Sequence, residues 1–172
     1  MPVARFLAAL AAAALVAVAG ARVSPLFPLA VDPFLLVAVV VARSGRPLPA
    51  MLGGTAAGWA ADALSGGPFG LYGLADGLVA YGTARAAQQL VVQRKSSLAA
   101  IFGAAAAAQG AIVALLGLVF APGRELPSPI WLVVRLGITA LLGLAWTGLA
   151  ATVSRRFAAR RRRPAGTLTL GR

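Results

Sequence analysis

The sequence predicts an all-α integral membrane protein, a compact bundle of six transmembrane helices. Three observations carry that reading. Of the 172 residues, 60% are hydrophobic and only 12% charged, with a mean hydropathy of +0.86, whereas a soluble domain carries about 25% charged residues. Six apolar runs follow one another, separated by short polar or Pro/Gly-containing breaks. Alanine and leucine dominate the runs and favour helix, and the alternation of barrel strands is missing. At ~20 residues per span, six helices use roughly 120 residues and leave about 50, too few for a separate soluble domain. Disorder, collagen and a water-soluble enzyme are excluded. The chain has no Cys and no His, which removes disulfides, thiol chemistry and the commonest zinc, haem and iron–sulfur ligand sets. No cofactor and no metal are expected.

The spans are expected at about 6–21, 26–42, 48–64, 69–91, 98–121 and 130–153, forming one unit over 1–154. The breaks are Arg43 to Pro47, Ser65 to Pro68, Gln93 to Ser97, and a charged, Pro-containing run from Pro122 to Pro129. Cations set the orientation. With a cytoplasmic amino terminus, thirteen fall inside: Arg5, Arg43, Arg46, Arg85, Arg94, Lys95, Arg155, Arg156, Arg160 to Arg163 and Arg172. Only Arg22 and Arg124 fall outside, and Arg135 lies within the sixth span. Both termini are therefore expected in the cytoplasm. Residues 1–21 also resemble a secretory signal, with Ala17-Val18-Ala19 as a small-residue cleavage pattern. Cleavage would leave five spans with the same loop orientations; retention is the primary reading.

The formal charge of +12 follows this topology and gives no basic face interleaved with aromatics, so nucleic acid is not an expected partner. The end, 155–172, is expected to be a disordered basic tail. Its cluster of Arg155, Arg156, Arg160, Arg161, Arg162 and Arg163 is a stop-transfer anchor on an anionic leaflet, or a docking site for a cytoplasmic protein.

Polar residues inside apolar runs are the next signal. Asp32, beside Pro33, starts the second span near the outer surface, and Asp62 lies near the outer end of the third. Asp76 and Arg135 sit at similar depth in the fourth and sixth spans, Asp76 roughly 10 Å down at 1.5 Å per residue. An intramembrane charge faces the bundle interior and pairs. We therefore expect an Asp76–Arg135 ion pair, with Asp62 satisfied by the following loop or by the same Arg. A ligand or proton site in an outward cavity is the functional alternative. Gln109, near the middle of the fifth span, is expected to make an interhelical hydrogen bond.

Glycines supply the most structured pattern. Gly54 and Gly58 form one Gly-xxx-Gly pair and Gly73 and Gly77 another, with Gly66, Gly67 and Gly70 bracketing the turn between them. Small residues four apart share a helix face and let backbones approach closely. The hairpin from 53 to 81 is thus the candidate central element. Its Gly-rich turn lacks the Lys-Ser/Thr ending of a phosphate loop. With no nucleophile elbow, carboxylate dyad or Ser-Lys arrangement either, the chain is read as a non-enzyme.

The stretch from Gly54 to Leu74 resembles the central signature of the rod shape-determining MreD family. That signature has a small-residue helix, Gly-xxx-Asp (Gly58, Asp62), a short Gly-rich turn (Gly66, Pro68, Gly70), Gly-Leu-x-x-Leu, and an aromatic further on, here Tyr81. Val31-Asp32-Pro33-Phe34-Leu35-Leu36 resembles the start of the family's second span, with Asp and Pro in reversed order. The resemblance covers about residues 30 to 81. It implies a non-enzymatic scaffold of the cell-wall elongation machinery in the bacterial inner membrane, serving regulation of cell shape and peptidoglycan elongation. The implied partner is the periplasmic scaffold MreC, and through it the actin-like MreB and the glycosyltransferase/transpeptidase pair. The runner-up is a substrate-binding component of an energy-coupling-factor vitamin transporter. Such proteins are similar six-span bundles whose first helix carries Ala-xxx-Ala faces, as Ala8 and Ala12, or Ala9 and Ala13, would here.

Overall fold

The computed structural model describes residues 3–66, 68–89, 95–120, 130, 133–146 and 148. Among them the chain is all-helical, in the order α1 (Val3–Val23), α2 (Phe27–Ala30), α3 (Pro33–Ala42), α4 (Pro47–Ser65), α5 (Leu71–Gln89), α6 (Lys95–Phe120) and α7 (Val133–Trp146). Each predicted run therefore contains helix. The basic tail and the last part of the sixth run, like Gly67, lie outside the described residues.

The second run departs from expectation. It is two helices, broken at Val31 and Asp32 rather than continuous from 26 to 42. Pro33 cannot donate a backbone hydrogen bond and sits at the first helical position of α3, where none is needed. Asp32, with extended backbone (φ −118°), is its N-cap. Asp32 Oδ1 accepts from Phe34 N at 3.1 Å and Leu35 N at 3.0 Å, meeting two of the donors that open a helix. α4 likewise begins on a proline and ends at Gly66 in the left-handed region, φ +64°, the usual glycine stop.

α3 is the centre of the bundle. Phe34, Ala38 and Ala42, four residues apart, face an alanine-lined seam made with Ala13 of α1, Ala50 and Ala57 of α4, and Ala80 and Ala84 of α5. Leu35 and Val39 face a second cluster with Val79 of α5 and Ile101, Phe102, Ala105 and Ala106 of α6. Alanine at the seam keeps side chains short, so helices approach closely and gain dispersion contacts.

Polar side chains share this mostly apolar core, and large apolar ones lie outside it. Among the described residues, three of the six largest fully buried side chains, Gln109, Thr139 and Asp76, are polar. Large apolar residues meanwhile cover the exterior: Leu7 and Leu15 on α1, Leu48, Leu52 and Trp59 on α4, Leu74 and Leu78 on α5, and Leu115 and Leu118 on α6 are each at least half exposed. Two helical segments among the described residues, Val3–Val23 and Ala100–Phe120, are long and apolar enough to cross a membrane, while Phe27–Ala42 and Val133–Trp146 are apolar but shorter. α4 and α5 have spanning length, but Gly, Thr, Asp, Gln and Arg lower their hydropathy.

Candidate functional site

Two constructions stand out, and both lie toward the end of the bundle where α4 turns into α5. The first is the hairpin itself. Asp62, in the last turn of α4, is 3% exposed. Its Oδ2 accepts from Gly70 N at 2.9 Å and Gly73 N at 3.0 Å, and its Oδ1 from Tyr72 N at 3.0 Å. These are donors at the start of α5 that no intrahelical carbonyl can reach. A carboxylate there also meets the positive end of the α5 dipole. The loop, rather than Arg135, satisfies Asp62. Gly70 adopts φ +102°, a conformation other L residues rarely take, and so aims its N–H at that carboxylate.

Below the turn, the two glycine pairs face each other. Any side chain at Gly58 would overlap the Tyr72 carbonyl, and one at Gly54 would overlap the Asp76 carbonyl. Gly73 lies against Trp59 and Gly77 against Thr55. Trp59 stacks on Phe69 with ring centroids 6.5 Å apart. Pro68 and Gly66 are exposed in the turn, and Tyr81 is exposed on α5.

The second construction is a buried polar network spanning four helices. Arg135 on α7 pairs with Asp32 at the start of α3, Nη2 to Oδ2, at 2.5 Å. The same Nη2 donates to Gln109 Oε1 on α6 at 2.9 Å. The Gln109 amide nitrogen donates to Asp32 Oδ2 and to Asp76 Oδ1 on α5, each at 2.7 Å. The expected direct Asp76–Arg135 pair is therefore replaced: Arg135 binds Asp32, and Gln109 stands between Arg135 and Asp76. Depth counted along each helix matched Asp76 to Arg135, but the break before Pro33 brings Asp32 into the bundle, where it is 6% exposed. Asp32 accepts four hydrogen bonds in all, the full capacity of a carboxylate.

Among the described residues, Asp76 Oδ2 and Arg135 Nε in this network, and Thr139 Oγ1 one turn beyond Arg135 on α7, are buried without a hydrogen-bond partner. Arg135 also lies over the Tyr72 ring, 5.9 Å from its centroid, in cation–π range. Asp32 is the residue that sequence reasoning did not place in the site. The signal was present: Asp immediately before Pro at the first helical position marks an N-cap. Gln109 fulfils its expected interhelical role with both ends of its amide.

Beside the network is a cavity of about 360 Å³. Val18, Ala21 and Arg22 of α1, Phe27 of α2, Asp32, Leu64 and Ser65 of α4, Tyr72 and Arg135 line it. No group of three or more carboxylates or other metal-ligating side chains comes together among the described residues. No protein-family model, curated protein or solved structure matches the chain.

Proposed function

We propose that this chain is a six-span inner-membrane protein of the MreD type. It is a non-enzymatic scaffold subunit of the bacterial cell-wall elongation complex, with both termini in the cytoplasm. The membrane part of this reading is supported by the burial pattern, since leucine and tryptophan on the outside, with paired Asp and Gln within an apolar core, suit hydrocarbon as the solvent. The scaffold part is carried by one observation, the α4–α5 hairpin. Gly58, Asp62, Gly70 and Gly73, the residues of the resemblance, form a single fastening in which a carboxylate ties the turn and glycines bring two backbones together. Such a fastening builds a rigid element and performs no chemistry. It leaves Leu74 and Leu78 on the outer face of α5, where a single transmembrane helix of an MreC-type partner would pack.

The test is affinity purification of the full chain from native membranes in mild detergent, followed by mass spectrometry. Recovery of the MreC-type scaffold with the elongation synthases, lost on Leu74→Ala/Leu78→Ala, supports the role. Recovery of a transporter ATPase with its coupling subunit replaces this reading with the vitamin-transporter one.

A further inference from the structure

The scaffold role makes no use of the 360 Å³ cavity, which lies within the ~300–1,000 Å³ range of small-molecule sites. Its walls are apolar, with Val18 and Ala21 on one side and Phe27 and Leu64 on the others. Its polar lining is unbalanced, because Arg22 and Arg135 face a single carboxylate, Asp32. That carboxylate has no free acceptor position, since all four of its hydrogen bonds are made. Asp76 stands behind Gln109 and does not line the cavity. Arg135, by contrast, is undersatisfied. Of its five N–H donors, both on Nη2 are taken by Asp32 and Gln109, the guanidinium also meets the Tyr72 side chain, and Nε has no partner. The Tyr72 and Ser65 side chains line the same space.

We infer that this cavity binds an amphiphile with a phosphate or carboxylate head, the head held by Arg135 and Arg22 and the apolar body by Phe27, Leu64 and the α1 wall. A cation there would meet two guanidinium groups, and a neutral apolar molecule would leave the positive charge in excess of Asp32 uncompensated. A guanidinium fork matches the geometry of both oxyanions. The chemistry fits the head of a membrane lipid or a free amphiphilic anion, and the inference stands whether or not the scaffold role does.

Native mass spectrometry of the full chain in neutral maltoside micelles separates the outcomes. The probes are phosphatidylglycerol, dodecyl phosphate, and diacylglycerol as the phosphate-free control. Ala21→Trp fills the cavity from the α1 wall and leaves the Asp32–Gln109–Arg135 bonds in place, so its unfolding transition should match wild type. Wild type should retain one phosphate-bearing molecule per chain that Ala21→Trp holds at least about tenfold more weakly, a difference of ~1.4 kcal/mol. Retention of the lipid alone identifies a lipid site, and retention of dodecyl phosphate alone a solute site. Equal retention by wild type and Ala21→Trp, or retention of diacylglycerol as strongly as the phosphate probes, overturns the inference. The basic tail and loops, which attract any anionic lipid, are unchanged in the variant and cancel in this comparison.

Discussion

Replacing Asp62 should loosen the hairpin more than any other single change at the turn. Asp62→Ala removes the acceptor for Gly70 N, Tyr72 N and Gly73 N, which lie 2.9, 3.0 and 3.0 Å from its oxygens. Hydrogen bonds to a charged group contribute about 1.5–3 kcal/mol each, and loss of a cap costs ~1 kcal/mol. Three bonds summed at the lower value give roughly 4–5 kcal/mol. Gly70 and Tyr72 are only half-buried, so water recovers part of the loss, and about 3 kcal/mol is the expected net cost. Against a total stability of about 5–15 kcal/mol, that is a large fraction. Asp62→Asn keeps one acceptor oxygen and should fall between Ala and wild type. SDS-induced unfolding of the purified chain in mixed micelles, followed by circular dichroism, measures the three. If Asp62→Ala unfolds within about 0.5 kcal/mol of wild type, the range of an ordinary surface change, the carboxylate does not hold the turn and the reasoning fails.

The same unfolding assay checks three further expectations. Asp32→Asn and Arg135→Gln should each cost about 3 kcal/mol or more, as breaking a buried pair does, and the double variant should cost clearly less than their sum; strict additivity would mean that the two do not interact. Gly58→Ala should destabilise, since its methyl meets the Tyr72 backbone, whereas Gly82→Ala, with nothing within 4 Å, should be neutral or gain up to ~1 kcal/mol of helix propensity. A similar loss from both would remove the argument for close approach. Gln109→Leu deprives Asp76 of its hydrogen-bond donor and Arg135 of an acceptor, so it should cost about 2–4 kcal/mol; a fully stable Gln109→Leu would show that the network is dispensable.

Much of this fold is written locally. Composition and the length of each apolar run specify helices, because backbone groups away from water must bond within their own segment. Gly-xxx-Gly spacing places small residues on one face of each hairpin helix, and a tight turn brings such faces together without help from the rest of the chain. Asp62 belongs to the same class, since the donors it serves lie only 8 to 11 residues ahead. The break at Asp32-Pro33 was equally local and carried its own signal, but the continuous hydropathy of residues 26–42 masked it.

What only the tertiary structure decided is which charge meets which. Arg135 and Asp32 are 103 residues apart, and Asp76 and Gln109 lie on neighbouring helices whose rotation no run of residues encodes. Counting residues gives the depth of a side chain, yet its direction depends on the turn of each helix about its axis. That turn is set by the alanine seam against α3 and the glycine seam between α4 and α5. Residues far apart in sequence thereby came to share one amide, Gln109, and the cavity formed where α1, α2 and α4 meet Arg135.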